Sequence, residues 1–246
     1  MNVFGGDSLR RLPWISWISC AAAAYGLKAG YSRAAVEDLG WILAPTAKLV
    51  GALRGERLVV GAAGWAPTDG SYVIAPACAG VNFLILAFVV SVLGFSHRFR
   101  TSRGRFFFWL GALGGAWLLT LAVNTVRILA AIELYRREPP FGWTPEQLHR
   151  LLGVVVYLGA LWGMFAVLDR LTRREAPGGR GSAAGFLLVP GAYLGMTLGV
   201  PLLTGAFRAG GPRFAEHAIM VLGATLAALG VTLVGWRWVD RIEGRP

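Results

Sequence analysis

The chain has 246 residues, of which 55% are hydrophobic and 15% are charged, and its mean hydropathy is +0.56. Because soluble domains carry about 25% charged residues, this composition excludes an ordinary soluble domain and favours an integral-membrane protein. The net charge of +11 lies in short basic clusters between apolar runs, which we interpret as topology signals rather than as a nucleic-acid-binding surface. We expect one integral-membrane domain over residues 1–246.

Six apolar runs of about 17 to 29 residues are long enough to cross a bilayer core of about 30 Å at about 1.5 Å per residue. They are Leu12 to Tyr31, Ala79 to Phe95, Phe106 to Leu134, Leu151 to Leu168, Gly185 to Phe207 and His217 to Trp236. We interpret the first run as an uncleaved span, because its small-residue stretch CAAAA lies in the middle of the run. The sequence therefore predicts an all-α, polytopic transmembrane bundle of about six spans.

Two segments between the first and second runs fit a span less well. Leu39 to Leu53 is apolar but short, and it contains Pro45 and Lys48. This pattern predicts an interfacial helix or a shallow re-entrant piece. Leu58 to Ala75 contains VV, YVI and several glycines, which predict a short hairpin outside the bilayer.

Clusters of arginine predict the orientation of the bundle. With six spans, these clusters fall on one side of the membrane, which the positive-inside tendency makes cytoplasmic. The arginines are Arg10, Arg11, Arg98, Arg100, Arg103, Arg105, Arg170, Arg173, Arg174, Arg237, Arg241 and Arg245. We therefore expect a multi-pass protein of the cell membrane with both ends in the cytoplasm.

Three residues of this topology lie at the opposite, extracytoplasmic face. Cys78 begins the second span, His149 opens the fourth, and Arg127 lies about 21 residues into the third, roughly 31 Å along a helix. A thiol is nucleophilic as a thiolate, which a helix N-terminus, a cation or an imidazole favours. His149 can take the thiol proton and return it to a leaving amine, and Arg127 can stabilise the thiolate or an oxyanion. The sequence thus predicts a Cys-His-Arg catalytic site at the outer face.

Two asparagines are candidate supporting residues. Asn124 precedes Arg127 by three residues, so both lie on one helical face and Asn124 can hydrogen-bond beside the guanidinium. Asn82 lies one helical turn after Cys78, where it either hydrogen-bonds between spans or supports the site.

The order and spacing of these motifs resemble the exosortase and archaeosortase family of integral-membrane cysteine transpeptidases. The matching segments are ACAGVNFL around Cys78, NTVRI around Arg127 and the HR at His149. The resemblance covers residues 39–168, including APTAKLVGALRGE, and it leaves two additional C-terminal spans, residues 185–236, outside it. The family often has serine after the cysteine, and the Cys-Ala-Gly form found here is similar to that of the exosortase K subgroup.

The resemblance implies a membrane cysteine protease or transpeptidase that acts on secreted proteins. Its substrates would carry a C-terminal sorting signal: a short motif, a transmembrane helix and a basic cytoplasmic tail. It would form a thioester on Cys78 and pass the acyl group to an amine acceptor or to water. We expect no cofactor, and no metal site, because the two cysteines and three histidines are spread over both faces. The expected partners are these substrates and the lipid bilayer, without nucleic acid.

Other roles for the same residues stay open at this point. Cys78 can be a small buried hydrophobic residue, Arg127 can snorkel to lipid headgroups, and His149 can be an ordinary interfacial residue. His217, which opens the last run after Glu216, is the rival candidate for the base. At the level of function, the alternatives are a small transporter or channel with a polar path along Arg127, and a non-catalytic membrane scaffold.

Overall fold

The computed structural model describes residues 13–136, 143–172, 183–205, 208 and 211–242. The fold is mostly helical and includes a small two-stranded sheet. The α-helices are α1 (Pro13–Tyr31), α2 (Gly40–Arg54), α3 (Val81–Phe95), α4 (Ser102–Tyr135), α5 (Pro145–Thr172), α6 (Ala183–Leu194), α7 (Val200–Thr204) and α8 (Pro212–Ile242). The strands are β1 (Leu58–Gly61) and β2 (Gly64–Pro67), and single turns of other helix types cover Pro76–Cys78, Ser96–Arg98 and Gly195–Gly199.

Within the described residues, three helices are long and apolar enough to cross a membrane: Pro76–Arg98, Ser102–Tyr135 and Pro145–Thr172. They correspond to the predicted second, third and fourth spans, and they indicate a membrane protein. Leu187–Leu203 and Phe214–Gly230 are shorter apolar helical stretches. The total of about six spans stays a prediction, and so does the side of the membrane on which each loop lies.

Helix α3 is the centre of the bundle. It packs against α1, α4, α5 and α6, and its side chains are buried along most of its length. Phe83 stacks on Tyr157 with ring centroids 4.7 Å apart, and Phe88 meets the edge of Trp109 at 5.0 Å. Such aromatic pairs contribute about 0.5–1.5 kcal/mol beyond the burial of their area. This packing fixes the start of α3, and with it the preceding turn that contains Cys78.

A buried ion pair joins the other end of α3 to α5. Nη2 of Arg98 lies 2.6 Å from Oδ1 of Asp169, with both side chains about nine-tenths buried. Arg98 also donates from Nη1 to the hydroxyl of Thr172 at 2.8 Å, and its guanidinium lies over the ring of Phe95 at 4.8 Å. Arg98 thus has a packing role in addition to the topology role that its position in a basic cluster predicts.

The predicted hairpin is confirmed, since β1 and β2 pair antiparallel and Trp65 also bridges to Ile74. The segment predicted as an interfacial or re-entrant piece is the regular helix α2, whose C-cap Gly55 has a left-handed φ of 67°. Glu56 then joins the hairpin to α2, because it accepts from Arg54 at 2.9 and 2.6 Å and from the hydroxyl of Tyr72 at 2.7 Å.

The predicted fifth span, Gly185 to Phe207, is helical over its described residues up to Thr204 and contains a π-helical turn. Helix α6 ends at Leu194, a π-helical turn covers Gly195–Gly199, and α7 follows. Pro190 lies inside α6 and Pro201 lies in the first turn of α7. Proline removes a backbone donor, and π turns occur as single-turn bulges inside α-helices, so this helical segment is irregular at about its midpoint.

Several predicted features fall on residues outside the described part of the chain. They are Leu12, the first residue of the predicted first span, Phe207, the last of the fifth, and the arginines Arg10, Arg11, Arg173, Arg174 and Arg245. Their contribution to the orientation of the bundle stays a prediction.

Candidate functional site

Cys78 ends a single turn of 3₁₀ helix that leads into α3. Pro76 begins this turn, and the amide of Cys78 donates to the carbonyl of Ala75 at 2.8 Å. The Cys78 side chain is neither fully buried nor fully exposed, whereas that of Cys20 on α1 is only 1% exposed. Of the two cysteines, Cys78 is therefore the one that a substrate can reach.

Gly80 allows the Cys78 turn to lie directly on α4. Its backbone φ of 72° is in the left-handed region, which residues other than glycine rarely adopt. A Cβ atom at this position would lie 3.1 Å from Cγ2 of Thr120 and 3.2 Å from Cγ of Asn124. Both the backbone conformation and the close approach thus require glycine.

Helix α4 presents Asn124 and Arg127 to this turn. Asn124 is fully buried, and its Nδ2 donates a hydrogen bond to the backbone carbonyl of Cys78. Its Oδ1 accepts from the hydroxyl of Tyr157 on α5 at 3.0 Å. Asn124 therefore fixes the Cys78 backbone and is fixed in turn by α5.

Arg127 bridges α4 to α5 through two contacts. Nη2 lies 2.7 Å from Nε2 of His149, and Nη1 donates to the hydroxyl of Tyr157 at 3.3 Å. Its guanidinium carbon lies 5.3 Å from the centre of the Tyr157 ring. No carboxylate pairs with Arg127 in the part of the chain that is described, so this cation has no protein counter-ion there.

The start of α5 places His149 in the second turn of that helix. Thr144 and Gln147 form a reciprocal cap, in which each side chain accepts from the other residue's amide, at 2.9 and 3.2 Å. Pro145 is the first helical residue, where a missing N–H has no cost. The TPEQ stretch at residues 144–147 is therefore a helix-start signal.

The contact with Arg127 determines which nitrogen of His149 carries the proton. A guanidinium has only donors, so Nε2 must be the acceptor and the neutral ring carries its proton on Nδ1. Nδ1 of His149 and Nε of Arg127 are both buried, and neither has a hydrogen-bond partner among the described residues. The pair thus has two N–H groups that no other described residue satisfies.

A cavity of about 230 Å³ lies beside this pair, between the helices. Arg127, His149 and Tyr157 line it from α4 and α5. Tyr193 and Thr197 from the fifth predicted span and His217 from α8 also line it. The C-terminal helices, which lie outside the family resemblance, therefore form one wall of the candidate site.

Helix α1 supports the site from its other side. Nζ of Lys28 donates to Oδ1 of Asn82 at 2.8 Å, and the hydroxyl of Tyr31 donates to the carbonyl of Pro76 at 3.4 Å. Asn82, whose side chain is exposed, also lines the cavity, so it lies at the site without joining the Asn124 hydrogen bonds.

One hydrogen-bonded path runs from the backbone carbonyl of Cys78 through Asn124, Tyr157 and Arg127 to His149, and the predicted supporting residue Asn82 lies outside it. His217 lines the same cavity as His149, and it is close enough to Arg150 for the two to interact electrostatically. No group of three or more side chains that could hold a metal occurs among the residues described.

Sequence reasoning did not identify three features of the site. Tyr157 resembles any aromatic residue in an apolar run, and only the hydrogen bonds that it makes to α4 reveal its position. Gly80 has a local signal, because a glycine directly before a helix often marks a special backbone conformation. Gly153 has none, although a Cβ there would lie 3.3 Å from Nε of Arg127.

Comparison with known proteins finds no matching family model, no matching curated protein and no matching solved structure.

Proposed function

We propose that the chain is a membrane cysteine protease or transpeptidase of the exosortase type. It would cleave the C-terminal sorting signals of secreted proteins at the extracytoplasmic face of the cell membrane, through a thioester on Cys78. The observation that carries the proposal is the continuous hydrogen-bonded path from the Cys78 carbonyl to the His149 ring. A transporter or scaffold has no need to join a cysteine, an arginine and a histidine from three elements in this way.

Arg127 supplies the electrostatic part of the proposal. A partly buried cation without a carboxylate partner favours an anion beside it, and both a thiolate and a tetrahedral oxyanion are such anions.

The first half of the proposed reaction begins with transfer of the Cys78 thiol proton to His149. The resulting thiolate attacks the substrate carbonyl, forms a carbon–sulfur bond and moves an electron pair to oxygen. Protonated His149 cannot accept from Arg127, so this step frees Nη2 of Arg127 for the oxyanion. The intermediate then expels the amine, which takes the proton from His149 and leaves the thioester.

The second half repeats these roles with a new nucleophile. An amine acceptor or a water molecule gives a proton to His149 and attacks the thioester carbonyl. Collapse of this intermediate breaks the carbon–sulfur bond, and the Cys78 sulfur regains its proton from His149. The cavity that Tyr193 and Thr197 help to line lies at the His149 end of this arrangement.

Replacing each cysteine in turn tests the proposed nucleophile. The assay uses a tagged secreted protein from the same genome that ends in a short motif, one apolar span and a basic tail. We expect Cys78→Ser to abolish its cleavage in cells and Cys20→Ser, the control for loss of a thiol, to retain it. Cleavage by Cys78→Ser at the wild-type rate would remove Cys78 from the mechanism.

Reporter fusions test the proposed six-span topology. A fusion at residue 102 should give a cytoplasmic signal, and one at residue 143 an external signal, because the arginine clusters orient the chain in this way. Like signals at the two positions would be incompatible with six spans.

A further inference from the structure

We propose that Tyr157 is a positioning residue, which holds Arg127 in place relative to the Cys78 turn. The inference rests on the proposed function and adds a residue to it. Tyr157 lies in the fourth turn of α5, on the same side of the helix as His149 and Gly153. Its hydroxyl accepts from Nη1 of Arg127 at 3.3 Å and donates to Oδ1 of Asn124 at 3.0 Å.

The hydroxyl of Tyr157 makes the two hydrogen bonds in a fixed sense. The guanidinium can only donate, so the hydroxyl oxygen accepts from Arg127 and the hydroxyl proton points to Asn124. Asn124 must then present its amide oxygen to Tyr157, which leaves its NH₂ group for the Cys78 carbonyl. Tyr157 therefore fixes the orientation of the Asn124 amide as well as the place of the guanidinium.

The ring of Tyr157 is itself held firmly. It stacks on Phe83 of α3 with an interplanar angle of 22°, and the Arg127 guanidinium lies 5.3 Å from its centre. A phenylalanine at this position keeps both ring contacts and loses only the hydroxyl. Tyr157→Phe thus isolates the two hydrogen bonds from the packing of α3 against α5.

The positioning of Arg127 by Tyr157 can be tested without a peptide substrate, by measuring how fast Cys78 reacts with a small alkylating agent. The rate of labelling by iodoacetamide as a function of pH reports the fraction of thiolate. The titratable groups of the candidate site come from three helices: Lys28, Tyr31, Arg127, Tyr135, His149 and Tyr157.

We expect Tyr157→Phe to slow labelling of Cys78 at neutral pH about three- to tenfold and to move the profile to higher pH, because a mispositioned Arg127 stabilises the thiolate less. The shift should vanish in an Arg127→Ala background, since Tyr157 acts through that residue. Tyr72→Phe, which removes a tyrosine hydroxyl that bonds to Glu56 outside the candidate site, is the matched control and should leave the profile unchanged.

A Tyr157→Phe profile identical to that of the wild type would overturn the proposal, and so would an equal shift in the Arg127→Ala background. Loss of thermal stability without a change in the profile would assign Tyr157 a purely structural role. Failure of the proposed function gives a different result in a different assay. Cleavage of the tagged substrate would then not depend on Cys78, whatever the labelling profile of the Tyr157 variant.

Discussion

Arg127 and His149 are hydrogen-bonded to each other across 2.7 Å, with the guanidinium on α4 donating to Nε2 of the imidazole on α5. This contact keeps the imidazole neutral, because a protonated ring has no lone pair to offer. Transfer of a proton to His149 and release of Arg127 are therefore linked. In the proposed reaction, the linkage delivers the cation at the moment when negative charge forms on the substrate.

Replacing Arg127 by lysine separates catalysis from snorkelling. Lysine keeps the charge but lacks the planar fork that contacts Tyr157 and His149 together. We expect Arg127→Lys to lower turnover of the tagged substrate about 100-fold to 1,000-fold, with near-normal membrane insertion. If Arg127 only snorkels, lysine replaces it with little loss, and near-full processing would place the residue outside the active site.

Gly153 leaves room for the Arg127 side chain. A Cβ at Gly153 would lie 3.3 Å from Nε of Arg127, whereas one at Gly159 on the same helix would have no atom within 4 Å. We expect Gly153→Ala to lower processing about tenfold or more, because a small displacement of a catalytic group is costly, while helix stability is retained. Gly159→Ala is the matched control. Equal activity of the two variants would show that the position of Arg127 is not critical.

The hydropathy runs predict helices α3, α4 and α5 well, because long apolar segments in a bilayer must satisfy their own backbone hydrogen bonds. The intervals along α4 also predict that Asn124 and Arg127 share a face. The sequence analysis did not predict the π turn at Gly195–Gly199, although glycines and prolines lie in and around it. Tyr157 and Gly153 could not be predicted, because their roles depend on which helix lies beside them.

The buried pair of Arg98 and Asp169 is expected to be a stability determinant far from the candidate site. Removing Arg98 breaks this pair at 2.6 Å, and loss of one partner of a buried ion pair destabilises proteins by about 3–5 kcal/mol. We expect Arg98→Ala to lower the temperature of thermal unfolding in detergent markedly. The Arg98→Ala, Asp169→Ala double variant should lose less free energy of unfolding than the sum of the losses in the two single variants. Strictly additive losses would show that the two side chains do not interact energetically.

The contact of the hairpin with α2 should depend on pH. The hydrogen bond from Arg54, followed by that from Tyr72, holds the pKa of Glu56 below its ordinary value. A lowered pKa stabilises the folded contact above the unfolded pKa of about 4.3, and this contribution is lost as the pH falls through the folded value. Burial, with the hydrogen bond to Glu56, raises the pKa of Tyr72 to about 12, so the alkaline limit lies far higher.

Amide hydrogen exchange at Trp65 and Ile74, which form a β-bridge between β2 and the segment that follows it, measures this effect. Protection should fall below about pH 4, after correction for intrinsic exchange. Glu56→Gln, which cannot ionise, should show lower protection at neutral pH and no such acid step. An acid step of equal size in Glu56→Gln would assign the pH dependence to another group.

The most direct test of the account is the covalent intermediate on Cys78. The purified protein is mixed with the tagged substrate, the reaction is stopped with acid, and the Cys78 peptide is analysed by mass spectrometry. The account predicts an added mass equal to the acyl fragment of the substrate, released by neutral hydroxylamine as thioesters are, and absent in Cys78→Ser. Cleavage of the substrate with no such adduct, or with an adduct on another residue, would contradict it.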